Sequence, residues 1–365
     1  MKRMLYVILI ICALLLAACG RSAEEPEEPP YEPIATPTPT PAPTPTPMPT
    51  PTPVPSPPPG MAISRLTGLY IREEAAARRP FAVVYNNETR AMPQAGLMQA
   101  DIIYEVITEG NITRVVAIFQ DFDAEMIGPI RSTRHYFTYF ALDSNAVMVH
   151  HGGSTAGYNS IRNRGIPAID GMRFDGSVFW RDAQRRQSRG LEHSSFTSAE
   201  NLLNHVANFG IDMTISPDGN LGMFEFFDEP TAPRPENVAN IVRVPHAGTN
   251  VSVFEYNPDT KLYYKFIFGE PQMDVLTDEQ VAVTNVIVQI ANISHIPGDT
   301  AGRRDVILVG SGRGYLATHG SFIPITWVKD SAESPTRWYD EDGMPLVINR
   351  GRTWISVIES EVNFE

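Results

Sequence analysis

The residues best suited to chemistry fall into a few clusters. Arg131 and Arg134 lie three apart just after the turn-forming Gly128-Pro129. That spacing predicts two guanidiniums on one face of a helix over Ser132–Asp143. Guanidiniums projecting together can take a carboxylate or phosphate in bidentate fashion, and a helix N-terminus adds partial positive charge. His135 adjoins them, and Arg114, Glu105 and Glu109 precede them in the chain. If those acids pair with the arginines, the cluster braces the fold instead of binding a ligand.

A second cluster is His150-His151-Gly152-Gly153-Ser154, behind the apolar run Ala146–Val149. A strand running into glycines lets a ligand approach backbone closely. His151 could serve as a general base, or as a metal ligand together with His193 and one of Asp170, Asp175 or Asp182. Against this, the chain has no His-x-x-x-His spacing, and Ser154 lacks the Gly-x-Ser-x-Gly elbow. A structural or ligand-orienting histidine is the better reading, and no cofactor or metal is expected. Phe179-Trp180-Arg181-Asp182 with Arg185, Arg186 and Arg189 suits stacking on a sugar ring with acidic substituents, unless Trp180 is core and the arginines a solvated face. Gly310-Ser311-Gly312-Arg313-Gly314 has no helix after it and reads as a bulge or tight hairpin, not a phosphate loop. Trp327, Trp338 and Trp354 read as β-core, and His205 is expected to face solvent.

The elements that must carry these residues follow from periodicity. Phe81–Tyr85 reads as a buried strand, and Ile102–Ile107 with Ile112–Phe119 as a hairpin around Glu109-Gly110-Asn111. Thr197-Ser198-Ala199-Glu200 has the form of a capping box opening a helix to Phe209, with Leu202, Leu203, Val206 and Phe209 on one face. Prolines interrupt the pattern over Glu229–Pro245. Beyond them the alternations Leu262/Tyr264/Phe266/Phe268 and Val286/Val288/Ile290, and the run Trp354–Ile358, read as strands. The expected organisation is an α+β or α/β N-terminal domain over 78–228, followed by a mainly β C-terminal domain over 246–360.

Ahead of these lies an address. Lys2 and Arg3 precede the apolar run Leu5–Ala18, which at about 14 residues is too short to span a bilayer and fits a signal peptide over 1–18. Leu16-Ala17-Ala18-Cys19 has the form of a lipoprotein cleavage site, so Cys19 is the expected lipidation site. Cys12 would leave with the signal, and these are the sole cysteines of the 365 residues, which excludes disulfides and a cysteine nucleophile from the mature protein. Of 32 prolines, 17 lie between Pro26 and Pro59. Residues 19–60 are therefore expected to be a disordered Thr/Pro-rich linker in extended polyproline form, of which Pro33–Pro59 alone would reach on the order of 80 Å. The net charge of −13 argues against nucleic acid as a partner.

The folded part resembles the YerB-like bacterial lipoproteins, whose extracytoplasmic part is a domain of unknown function, number 3048, with N- and C-terminal halves. Among the residues that carry the likeness are Pro93-Gln94-Ala95-Gly96-Leu97, Ile127-Gly128-Pro129-Ile130-Arg131-Ser132, His151-Gly152-Gly153-Ser154, Phe179-Trp180-Arg181, Thr326-Trp327 and Thr353-Trp354-Ile355. The chain departs from the family pattern at Met92, where an arginine is usual, and at Glu192-His193-Ser194-Ser195-Phe196, where Pro-His-Asn-Leu-Tyr is usual. The resemblance implies a lipid-anchored protein on the outer face of the membrane, and implies no reaction. The residues favour an envelope ligand-binding or scaffolding protein held to the membrane through Cys19, with a site among Glu105, Glu109, Arg114, Arg131, Arg134, His151, Trp180, Arg181 and His193. Its ligand would be a cell-wall glycan, an anionic polymer or an envelope protein. The alternative is an envelope hydrolase or transferase using His151 or His193 with Glu105 or Glu109 as acid/base groups.

Overall fold

The computed structural model describes residues 57–215 and 223–365. The signal peptide, Cys19 and nearly all of the linker fall outside the described residues.

Continuous apolar runs, buried on both faces, make the strands of a large mixed sheet. In chain order these are β1 (Phe81–Asn87), β2 (Ile102–Ile107), β3 (Thr113–Phe119), β4 (Val147–His150) and β5 (Ala168–Asp170) from the first half. A second sheet uses β6 (Ile241–Ala247), β7 (Asn250–Asn257) and β8 (Leu262–Ile267). The large sheet then continues with β9 (Asn285–Ile290), β10 (Gly310–Thr318), β11 (Ser321–Lys329), β12 (Arg337–Tyr339) and β13 (Thr353–Ile358). Its spatial order is β12-β11-β10-β9-β13-β2-β3-β1-β4-β5. The first half is thus mixed α/β and the second mainly β, but one sheet runs through both. The join is a parallel pairing of β13 with β2, setting Trp354 beside Ile103 and Ser356 beside Glu105.

One face of this sheet packs on helix α4 (Ala199–Phe209) through Leu202 and Val206, and on the second sheet through Val242, Val244, Phe254 and Tyr263. The other face packs on helix α1 (Phe137–Asp143) through Phe137, Phe140 and Ala141, and buries Trp327 and Trp338.

Several local expectations need correction. The helix expected over Ser132–Asp143 begins only at Phe137. Residues 130–133 instead spend their amides on neighbouring chain: Ile130 donates to the Ser195 carbonyl, Arg131 to Val84 and Thr133 to Gly152. Arg131 and Arg134 therefore share no helix face. The cap of α4 is Ser198, whose hydroxyl accepts from the Asn201 amide, one residue later than the capping box placed it. Phe209 is exposed, whereas His205 is buried and stacks on it at 4.3 Å. Gly310–Gly314 lies inside β10 in unbroken register with β11. There Gly312 makes room for the Trp327 indole, since a Cβ would come within 2.6 Å of its Nε1. In β8 the inward residues are Tyr263, Lys265 and Ile267, and the apolar alternation Leu262/Tyr264/Phe266 faces the half-exposed side.

The reason for that inverted phase is Glu105, which is completely buried on β2. Its Oε2 receives the Ser252 hydroxyl at 2.9 Å and the Trp354 indole N–H at 3.1 Å, with Lys265 Nζ at 3.4 Å and His246 Nε2 at 3.3 Å. Its Oε1 accepts from Asn87 at 2.8 Å and Thr113 at 2.9 Å. Burial alone would raise this carboxyl, but the Lys265 and His246 charges and the Ser252 hydrogen bond hold it well below the usual carboxylate range. The Lys265 ammonium also sits 4.6 Å from the centre of the Trp354 ring. Strands β1, β2 and β3 of the first half and β6, β7, β8 and β13 of the second thus converge on one carboxylate. Two further buried acids join the halves. Asp274 accepts from the Gly96 and Met98 amides at 2.9 and 2.8 Å, and Asp143 meets Lys329 Nζ at 2.6 Å.

Removing one partner of a buried ion pair strands the other charge, at a cost of about 3–5 kcal/mol. Lys265→Met is expected to lower unfolding stability by that amount in urea titration, in one transition that far- and near-UV circular dichroism follow together.

Candidate functional site

Strand β4 ends at His150, and the chain turns through Gly152, whose φ of +79° lies in the left-handed region that favours glycine. A Cβ on Gly153 would meet Thr133 Cγ2 at 2.8 Å, and one on Gly171 would meet His151 Nδ1 at 2.2 Å. These glycines let three chain segments close around the His151 ring. Ser154 then caps helix α2 (Thr155–Asn163), an element the sequence reading lacks. The two-residue strand Trp180–Arg181 pairs with Ser195–Phe196 and brings Arg181 over the same ring. The result is an open cleft of about 450 Å³ at the carboxyl end of β4, with Arg131, Ser132, His151, Tyr158, Arg181 and Glu192 among its walls.

His151 is bound from both sides. Arg181 Nη2 lies 2.5 Å from its Nε2, and Ser195 Oγ lies 2.8 Å from its Nδ1. A guanidinium only donates, so Nε2 is the acceptor and Nδ1–H donates to the serine. Burial and the Arg181 charge both push the imidazole below its ordinary value, so it is neutral at pH 7. Asp175 Oδ2 accepts from Arg181 Nε at 3.1 Å and the Leu191 carbonyl accepts from its Nη1 at 2.9 Å, fixing the guanidinium over the ring. This geometry orients Arg181 and leaves His151 no free lone pair for general-base work. Ser195 is fully buried.

Arg131 differs from Arg181, its neighbour on the cleft wall. Among the described residues no acceptor meets its side chain, and its Nε is buried without a partner. Burial lowers the guanidinium's pKa, an effect that Glu192 and Glu88 oppose from a distance. Tyr158 donates its hydroxyl to Asp170 Oδ2 at 2.8 Å, while Asp170 Oδ1 accepts the Gly152 amide at 2.8 Å, which stiffens the glycine turn.

The remaining candidates separate. By strand alternation Glu105 shares a face with Ile103 and Val115, whereas Arg114 lies on the opposite face with Val116. Glu109 sits between Arg114, at 3.0 Å, and Arg134, so this cluster is an internal brace. Burial and the neighbouring Arg134 push the Arg114 guanidinium down to about 9. Burial would raise Glu109, but the two arginines carry it down to about 2. His193 is buried, with Asn86 Nδ2 at 2.8 Å from its Nδ1 and Glu88 Oε1 at 3.0 Å from its Nε2. Neither His151 nor His193 contacts Glu105 or Glu109, so the acid/base pairing considered from sequence is not formed. Among the described residues no three His, Cys, Asp or Glu side chains gather as a metal site. Trp180 stacks on Phe196 at 6.3 Å instead of lining the cleft. Arg185 and Arg189 donate to carbonyls of Ala91, Met92 and Pro93 and are neither a sugar platform nor a solvated face. Sequence reasoning missed Ser195 and Glu192 as cleft partners; a serine and a glutamate in a polar loop carry no signal of their own.

With fold and cleft described, the class can be stated. The family described as "Protein of unknown function (DUF3048)" matches this chain in its N-terminal domain over residues 66–212 and its C-terminal domain over 242–355, and the chain belongs to that family. It is 34% identical over 297 residues to "Putative lipoprotein YerB" of Bacillus subtilis (strain 168), covering 80% of this chain and 85% of the relative. The crystal structure of the Bacillus subtilis YerB protein superposes with a TM-score of 0.71 at 31% identity, covering 83% of this chain and 99% of that one. The relationship is to a protein named as a lipoprotein.

The Glu109 brace has a pH signature. A carboxyl lowered to about 2 contributes stability that is present above its unfolded value of about 4.3 and is lost as pH falls through the folded value. The stability gap between wild type and Glu109→Gln in urea titrations should be widest from about pH 5 to 8 and close toward pH 2. A gap constant across that range would show that Glu109 is not held ionised by its arginines.

Proposed function

We propose that this protein is an extracytoplasmic, lipid-anchored binding protein of the cell envelope whose ligand presents an anionic group to the His151 cleft. The anchor is the lipid on Cys19, and the Thr/Pro-rich segment spaces the folded body from the membrane. The observation that carries the reading is Arg131: a guanidinium on the wall of an open cleft, with no acceptor among the described residues. An arginine in that state is completed by a carboxylate or phosphate from outside. Arg181, held over His151, supplies the second charge, and the Ser132 hydroxyl and the Gly152–Gly153 turn supply neutral contacts.

Envelope location supports a wall-derived or envelope-protein ligand, and the neutral, doubly engaged His151 supports binding over hydrolysis. The hydrolase reading needs His151 or His193 within hydrogen-bond reach of a carboxylate in an open cleft: His151 on the cleft is held by Arg181 and Ser195, and His193 meets Glu88 at 3.0 Å but is buried and not among the cleft walls.

The test uses the lipid-free chain beginning after Cys19, immobilised and presented with solubilised wall fragments and envelope extract. Arg131→Ala should weaken capture at least tenfold, consistent with the about 1.5–3 kcal/mol of a charged hydrogen bond, while thermal unfolding stays at the wild-type temperature. Capture unchanged by Arg131→Ala would remove the cleft from the binding function.

A further inference from the structure

The cleft holds a second unexplained charge. Glu192 lies on its wall together with Arg131, and the two feel each other electrostatically. Yet among the described residues no ion pair joins them: Glu192 is held by its own backbone amide, its Oε1 lies 3.7 Å from the His193 ring, and its side chain is 47% exposed. Opposite charges on flexible side chains facing across a gap normally close into a direct pair or stay fully in water. Here the Arg131 backbone is fixed by its amide bond to Val84, and Glu192 lies in the short turn Leu191–His193, so each charge is carried by a fixed piece of chain. The same cleft is lined by apolar surface from Tyr158, Met172 and Leu191, which are 36%, 69% and 50% exposed.

We infer that the ligand group bound here is zwitterionic: a short peptide end whose carboxylate meets Arg131 and whose ammonium meets Glu192, with small apolar side chains against Tyr158, Met172 and Leu191. This rests on the binding-protein reading and narrows its ligand. A polyanion is disfavoured, because it would bring negative charge against Glu192. A cleft of about 450 Å³ accommodates a ligand of two or three small residues.

The experiment titrates the lipid-free chain, by calorimetry, with dialanine and trialanine, with their N-acetylated and C-amidated forms, and with inorganic phosphate. The zwitterionic peptides should bind, each blocked form should bind at least tenfold more weakly, and phosphate should not compete. Glu192→Gln should weaken the free peptides about tenfold and leave the N-acetylated forms unchanged, whereas Arg131→Ala should weaken both. Equal binding of acetylated and free peptides, tighter binding of phosphate, or no peptide binding at all would overturn the inference. If wall-fragment capture still depends on Arg131 while Glu192→Gln has no effect, the zwitterion fails and the binding-protein reading stands. If neither variant affects capture, both fail together.

Discussion

A carboxylate removed entirely from water must be met on every side, and Glu105 imposes that requirement on the whole molecule. Its six partners come from strands that the sequence separates by more than two hundred residues, from Asn87 to Trp354. Meeting them fixes the register of β13 against β2, turns Lys265 inward on β8, and seats the second sheet on the first. The cost of stranding any one charge explains why the two halves share one sheet and one compact unit.

The cleft inherits its rigidity from this arrangement. It lies at the carboxyl end of β4, beside β1 and β5 in parallel pairing, where open sheets expose loop backbone. The same physics sorts the arginines. Arg114 and Arg134 find Glu109, Arg185 and Arg189 find backbone carbonyls, and Arg181 finds Asp175 and His151. Among the described residues Arg131 meets no acceptor, and on the cleft wall that separates it from these braces.

Much of the strand framework was readable, because runs such as Phe81–Tyr85, and Trp354–Ile358 with its single serine, are apolar on both alternating sets of positions and so must be buried on both faces. The hairpin around Glu109-Gly110-Asn111 was readable from its glycine. The phase of β8 was not, since Tyr and Phe on its half-exposed side look as apolar as a core stripe while the true inward residue is a lysine. The start of α1 was hidden because tertiary amide bonds at Ile130–Thr133 override local helix preference. At the site, Arg131, His151 and Arg181 stood out by type and context. Their division into braced and free groups depended on partners, such as Asp175 and Ser195, that only the fold brings together.

Native-state hydrogen exchange in low denaturant tests the central claim most directly, since it reads whether the halves open together. Amides of β2, β8 and β13 should exchange only through one global opening, with a common free energy and a common denaturant dependence. A separate, cheaper opening of the second half that leaves β1, β2 and β3 protected would contradict the account, because Glu105 would then not hold the two halves as one body.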